Sequence, residues 1–226
     1  LATIATNHHK RMVEKHKAKL QEIEKARLAT LRQQLLARNP NTITTLGGDL
    51  FSPSAIGTAQ FEGDRLAGRQ MVDVLNHLQL DYATFGNHEF DVKESQFNQR
   101  MQEAKFTWVS SNVFAADGQP YTGVKQNIVI PVTDRKSGKT FRIGMFGLTL
   151  AANNPGYVRY SDPITATAEQ IKQLSSQADF VIALTHQAID DDRHRAFQHA
   201  GVASQVEQAQ VDAALRDQVL PDLGRA

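Results

Sequence analysis

Three short segments of the sequence have the pattern of buried strands, and each ends in or beside polar side chains that can bind a metal ion. The segments are Thr42 to Gly47, Tyr82 to Gly86 and Asp179 to Thr185, and they lead into Gly48-Asp49, Asn87-His88-Glu89 and His186. Ligands bind beyond the carboxyl ends of the strands in open α/β sheets. A carboxylate, an amide oxygen and an imidazole at one such edge would suit a hard or borderline divalent metal ion.

Helical patterns alternate with the strand patterns along the chain. The predicted helices are Asp64 to Leu78, Val92 to Ala104, Ser161 to Ala178 (with Ile164, Ala168, Ile171 and Leu174 facing inward), Ala188 to His199 and Ala203 to Val219. Further strands are predicted at Phe106 to Ser110, Gln126 to Val132 and Phe141 to Leu148, with the last two forming a hairpin. This alternation predicts an α/β fold with one hairpin.

The amino-terminal region differs in character from the rest. Leu1 to Thr6 has the pattern of a short strand, and Lys10 to Arg38 contains no glycine or proline and is rich in charged residues. The second segment is predicted to be one long helix, strongest from Lys17 onward, that ends at Asn39-Pro40-Asn41. A charged helix of this kind usually presents a solvated face.

Composition excludes several classes of protein. The 226 residues, 41% of them hydrophobic, are enough for one globular domain, which we expect to span residues 1–226. The absence of cysteine excludes disulfides and thiolate metal sites. The net charge of +1 argues against a face for duplex nucleic acid. No apolar run has the length of a membrane span and no signal peptide is visible, so we expect a soluble protein, cytoplasmic or exported, whose compartment and oligomeric state the sequence leaves open.

The motifs taken together resemble a known enzyme family. Gly48-Asp49, Gly86-Asn87-His88-Glu89 and Thr185-His186 are similar to successive motifs of the calcineurin-like metallophosphoesterases, and Gly86 to Asp91 most resembles the 5'-nucleotidase branch; Ser111-Asn112-Val113 and Ile143 to Thr149 also match. The resemblance covers residues 42–192. It implies a two-sheet β-sandwich flanked by helices, in four α/β/β/α layers. The larger nucleotidases of the family carry a second, carboxy-terminal substrate domain, for which we expect no room here.

The resemblance also implies a function. Members of the family hydrolyse phosphoesters with two divalent metal ions, such as Mn, Zn, Fe or Mg, and a metal-bound hydroxide as nucleophile. For this chain it implies a small phosphorylated substrate such as a nucleotide, and it implies roles for three residues. Asp49 would bridge both metal ions, Asn87 would bind the second ion and touch a phosphate oxygen, and His88 would donate a proton or a hydrogen bond near the leaving group.

Five further residues are assigned by the same resemblance or by their position. His186 would be another ligand of the second metal ion, and His9 (or His8) would be a ligand of the first. Glu89 is predicted either to orient a histidine ligand or to lie in solvent at the start of a helix. Asn112 is predicted to border the phosphate pocket. Asp91 is predicted to cap the following helix.

Two family motifs are incomplete in this chain. The family has Asp-x-His after its first strand, whereas here Thr6-Asn7 is followed by His8-His9 with no aspartate; the family also ends its site with Gly-His-x-His, and only His194 and His199 follow His186 here. The alternative prediction is therefore a non-catalytic, engineered or truncated relative with an incomplete metal site. A third possibility from composition is an interaction module that uses the charged helix Lys10 to Arg38.

Overall fold

The computed structural model describes residues 27–192 apart from 55, 58 and 62. The predicted strand Leu1 to Thr6, the helix Ala203 to Val219, most of the preceding helix Ala188 to His199 and the candidate ligands His8 and His9 lie outside the described residues. The chain divides into two compact units, residues 1–187 and residues 188–226. Within the described part of the second unit, residues 189–192 are helical.

The described elements are a mixture of strands and helices, as predicted, with five successive strands between α3 and α4. In chain order they are α1 (27–38), β1 (Thr45–Leu46), β2 (Gln60–Phe61), β3 (Asp64–Arg65), α2 (Arg69–Leu78), β4 (Tyr82–Ala83), a 3-10 helix (Asn87–Asp91), α3 (Glu94–Glu103), β5 (Thr107–Trp108), β6 (Val113–Ala115), β7 (Asn127–Thr133), β8 (Thr140–Thr149), β9 (Val158–Tyr160), α4 (Pro163–Leu174) and β10 (Phe180–His186).

Two three-stranded sheets form the centre of the first unit. One is parallel, with strand order β1-β4-β5. The other has the order β10-β8-β7, in which β10 runs parallel to β8 and β7 forms the predicted antiparallel hairpin with it. The sheets approach closely at Gly147, where an added Cβ atom would lie 2.1 Å from the Val109 carbonyl oxygen. Together with the flanking helices they form the α/β sandwich that the sequence predicts.

Each sheet has its own hydrophobic core. The parallel sheet packs on an aromatic cluster in which the Phe85 and Trp108 rings stack with their centroids 4.7 Å apart and Phe97 of α3 packs against Phe85 at 5.7 Å. The second core joins Phe146 of β8 to Leu174 of α4. Burial of such side chains is the main favourable term in folding, at about 1.5–3 kcal/mol for each large one. The two cores hold the strand ends that carry the predicted site.

The structure differs from the predicted elements in three places. The predicted helix Asp64 to Leu78 begins only at Arg69, because Asp64–Arg65 forms a hairpin with Gln60–Phe61, and β6 pairs with β9, which was not predicted. The inward face of α4 was predicted correctly at Ile171 and Leu174 but wrongly at Ile164 and Ala168, which are exposed, whereas Gln170 is buried. Asn127 of β7 donates a hydrogen bond of 2.5 Å to the Gln170 side chain. A buried amide that has a partner costs little, so tertiary packing overrides the hydrophobic pattern here.

The ends of β1 and β4 touch through glycine. Gly48 has φ 96°, and a Cβ atom there would lie 2.2 Å from the Gly86 amide nitrogen. A Cβ atom on Gly86 would in turn lie 2.2 Å from an Asp49 carboxylate oxygen. Both positions therefore require glycine, and their contact brings the two motif loops together.

We expect Gly48→Ala to destabilise the protein much more than Gly118→Ala. Both glycines have positive φ, which costs an L residue about 1–2 kcal/mol, but Gly118 has no atom within 4 Å of an added Cβ. Gly118→Ala is therefore a matched control for backbone strain alone. Denaturant unfolding of the two variants measures the difference, and equal losses of unfolding free energy would contradict the close contact between Gly48 and Gly86.

Candidate metal centre

A buried carboxylate holds the two motif loops in register. The Glu89 side chain is fully buried and accepts hydrogen bonds from four backbone N–H groups. Three donors belong to the loop after β1: Asp49 at 2.8 Å, Phe51 at 3.1 Å, and Leu50. The fourth is Gly86, at the end of β4. One side chain therefore fixes the backbone of both loops.

The environment of Glu89 departs from both sequence predictions. Burial raises the pKa of its carboxyl group, while the four N–H donors pull that pKa in the opposite direction. Glu89 is not solvated at a helix start, and it contacts the Asp49 loop instead of orienting a histidine. Asp49 has φ 62°, a left-handed conformation that aspartate tolerates better than most residues. The bond from its N–H to Glu89 holds this conformation.

Three predicted ligand residues meet at the strand ends. The His186 Nε2 atom lies 3.2 Å from Asn87 Oδ1 and 3.4 Å from Asp49 Oδ2. Each comes from a different element: Asp49 follows β1, Asn87 begins the 3-10 helix after β4, and His186 ends β10. The side chains of His186 and Asp49 are 24% and 32% exposed, so the cluster opens to solvent. The structure thus brings together the three residues from separate strand ends.

The chemistry of this cluster fits a cation. His186 Nδ1 lies 2.7 Å from the Gly47 carbonyl oxygen, which can only accept, so Nδ1 carries the proton. In the neutral imidazole Nε2 is then an acceptor, and it faces the carboxylate of Asp49, which cannot donate. With the imidazole neutral, the cluster presents three acceptor atoms, and a positive charge between them would stabilise it. The Nε2 atom lies 3.2 Å and 3.4 Å from the two oxygens, and one ion between them could contact all three atoms, because Zn–ligand distances to nitrogen and oxygen are about 2.0–2.2 Å.

His88 is held by a residue to which the sequence analysis gave another role. Its Nδ1 atom lies 2.6 Å from Asp91 Oδ2, and this hydrogen bond is the main cause that raises the pKa of the imidazole. Asp91 therefore does not cap α3, whose N-cap is Lys93. The His88 backbone N–H donates to Asp49 Oδ1 at 3.1 Å, which places the imidazole-bearing residue directly beside the ligand cluster.

Asn112 occupies a different position from the one predicted. It is fully buried, its amide nitrogen donates to the Thr149 carbonyl at 2.9 Å, and its oxygen accepts from the Thr149 N–H at 2.9 Å. The Thr149 hydroxyl in turn donates to the Phe85 carbonyl at 2.7 Å. Asn112 therefore ties the segment between β5 and β6 to the end of β8, and Thr149 in turn reaches the segment after β4; the buried Asn112 side chain does not line an open pocket.

The cluster contains two residues of the usual charged or imidazole ligand types, Asp49 and His186, and one amide, Asn87. Residues 27–192 contain no group of three or more His, Cys, Asp and Glu residues that could hold a metal ion, since one member of the cluster is an amide. His9 (or His8), the predicted ligand of the first metal ion, lies outside this part of the chain.

Comparison with known proteins identifies the family. The sequence profile of the calcineurin-like phosphoesterases matches residues 8–216. The chain belongs to this family. The match includes Asp49, Asn87, His88 and His186, the residues that meet or adjoin at the strand ends.

Individual relatives are nucleotide phosphoesterases and nucleotidases. The chain is 27% identical over 180 residues to the trifunctional nucleotide phosphoesterase protein YfkN of Bacillus subtilis, covering 73% of this chain and 12% of that protein. It is 29% identical over 175 residues to human 5'-nucleotidase, covering 74% and 29%. The crystal structure of a 5'-nucleotidase precursor from Thermus thermophilus has a TM-score of 0.62 at 25% identity, covering 76% of this chain and 33% of that one. The chain therefore spans less than a third of the length of these relatives.

One short match belongs to a different protein family. The chain is 53% identical over 51 residues to the large ribosomal subunit protein bL9 of Rhodopirellula baltica, covering 22% of this chain and 29% of that protein. Such coverage assigns no second family.

Among residues 27–192, no helix combines the length and the apolar character that a bilayer span requires.

We expect Glu89→Gln to destabilise the protein by at least about 2 kcal/mol, because its new amide group would face two of the four buried N–H donors and leave them without an acceptor. Glu94→Gln in the exposed first turn of α3 is the matched control and should change stability by less than roughly 0.5 kcal/mol. The free energy of unfolding in urea measures both. A Glu89→Gln variant as stable as the control would show that this carboxylate does not hold the loops.

Proposed function

We propose that the chain hydrolyses phosphomonoesters of the nucleotide type with the help of divalent metal ions. The observation that carries this proposal is the convergence of Asp49, Asn87 and His186 beside the His88–Asp91 pair. The relatives support the substrate class, since their names specify nucleotide phosphoesterase and 5'-nucleotidase activities. The chain covers 12% and 29% of the length of those relatives.

His88 is proposed to protonate the leaving oxygen of the ester. Its Nδ1 atom is engaged by Asp91, which leaves Nε2 to meet the substrate. The hydrogen bond to Asp91 raises the pKa of His88, so a larger share of the imidazole is cationic at neutral pH. The protonated Nε2–H can then donate to the leaving alkoxide, as general acid catalysis requires.

The cluster of Asp49, Asn87 and His186 is proposed to hold the cation. A divalent ion held there would supply positive charge for the phosphoryl oxygens and would make a nearby water molecule more acidic. The side chains contribute by geometry: His186 is fixed through its Nδ1–H bond to Gly47, and Asp49 through the bonds of its loop to Glu89. The second ion of a dinuclear centre is proposed to use Asp49 together with His9 (or His8).

A second candidate is a relative that binds one metal ion and has little or no turnover. It is favoured by the two incomplete motifs and by the absence of a further acidic or histidine cluster within residues 27–192. Metal binding without hydrolysis would then serve to hold a phosphorylated ligand. Metal content and turnover, measured on the same preparation, distinguish the two candidates.

We expect the purified chain to bind at most one Mn²⁺ or Zn²⁺ ion tightly, because affinity depends on the number and geometry of the ligands. Exhaustive chelation should abolish hydrolysis of nucleoside monophosphates, and added Mn²⁺ should restore it. A version with Asp-x-His near residue 8 and Gly-His-x-His after residue 200 should bind two ions and turn over faster. Activity that survives chelation contradicts the metal-dependent reaction, and two tightly bound ions in the unchanged chain contradict the ligand count.

His88→Ala should lower kcat on a nucleoside monophosphate by roughly a hundredfold or more, because general acid catalysis contributes about 10²–10⁴-fold. The kcat on 4-nitrophenyl phosphate should fall less, since the leaving group of this ester needs little protonation. His77→Ala, which removes an exposed imidazole from α2, is the matched control and should leave both rates unchanged. Equal losses on the two substrates would mean that His88 positions phosphate or metal and is not the acid.

A further inference from the structure

A loop residue outside all the predicted motifs reaches the His88–Asp91 pair. Asn153 lies between β8 and β9 and is partly buried. Its amide nitrogen donates one hydrogen bond to the Asn87 carbonyl at 3.0 Å and another to Asp91 Oδ1. Asn153 therefore contacts both the residue before His88 and the carboxylate that holds the His88 ring.

The chemistry of these contacts fixes the orientation of each group. A carbonyl and a carboxylate are both acceptors, so the NH₂ end of Asn153 must face them, and its two hydrogens serve one partner each. Asp91 then has Oδ1 engaged by Asn153 and Oδ2 engaged by His88 Nδ1. With both oxygens bound, the carboxylate cannot rotate away from the imidazole without losing a hydrogen bond.

The loop that carries Asn153 is itself anchored. The Tyr160 hydroxyl on β9 donates to the Asn153 carbonyl at 2.6 Å, and the Tyr160 ring packs edge-on against Phe90 with 6.0 Å between the centroids. Phe90 belongs to the same 3-10 helix as His88 and Asp91. The position of Asn153 is therefore set by the aromatic core and not by the open site.

We propose that Asn153 is a positioning residue for proton donation by His88. It holds the Asp91 carboxylate so that the His88 proton stays on Nδ1 in the neutral ring and Nε2 faces the leaving group. This inference rests on the proposed function for its effect on turnover. It does not depend on that function for its effect on the imidazole.

The first test compares two esters in the full chain with Mn²⁺ present. Asn153→Ala should lower kcat on a nucleoside monophosphate by roughly tenfold, a fraction of what general acid catalysis supplies, with little change in KM and little loss on 4-nitrophenyl phosphate. Asn153→Asp should lower this kcat at least as much, because it places a second carboxylate against Asp91. Asn76→Ala is the matched control. The Asn76 side chain also bridges two groups, the Glu103 carbonyl and the Lys105 N–H, and it lies outside these motifs.

The second test reads the imidazole directly and needs no turnover. The ¹⁵N shifts of the His88 ring in metal-free protein, identified by their absence in His88→Ala, report which nitrogen carries the proton. Above the pKa of His88, the wild type and Asn76→Ala should hold it mainly on Nδ1, and Asn153→Ala should shift population to Nε2. Unchanged tautomers, or equal rate losses on both esters, would overturn the inference. If Asn153→Ala shifts the tautomer but the wild-type chain shows no turnover, the proposed function alone would be overturned.

Discussion

The site depends on one buried interaction, the acceptance of four backbone N–H groups by the Glu89 carboxylate. Buried N–H groups need acceptors, and loop backbones cannot supply them in the regular way that helices and sheets do. Glu89 meets this need for two loops at once. Its position in the motif is therefore structural, whereas Asn87 and His88, which precede it, are partly exposed at the site.

Close backbone contact is the second constraint, and it follows from the first. Glu89 can reach the N–H groups of both loops only because Gly48 and Gly86 lack side chains at the point of contact. The second sheet is joined at the same place, since Thr149 bonds to Phe85 and His186 bonds to Gly47. The ligand cluster is thus a junction between two sheets, and its geometry depends on the packing of both cores.

The sequence predicted much of the fold and the three residues that meet at the strand ends. The features that it did not predict each have a particular physical reason. Asp49, Asn87 and His186 were predictable because strand ends with glycine and polar residues have a strong local pattern. Asp91 was assigned as a helix cap because an aspartate before a helix usually is one, and only the 3-10 turn brings it to His88. Asn153 carries no local signal, since its partners lie more than sixty positions away. Asn112 was placed at the pocket by resemblance, and its burial against Thr149 is a tertiary effect.

The most direct test of the cation site is a crystal structure of the chain, determined from crystals grown with Mn²⁺. The anomalous scattering of the ion would locate it. We expect one ion that contacts Asp49 Oδ2, Asn87 Oδ1 and His186 Nε2 together, at roughly 2.0–2.3 Å from each atom. Glu89 should remain buried and hold both loops. An ion bound elsewhere, or an empty cluster in which a protonated His186 pairs with Asp49, would contradict this expectation.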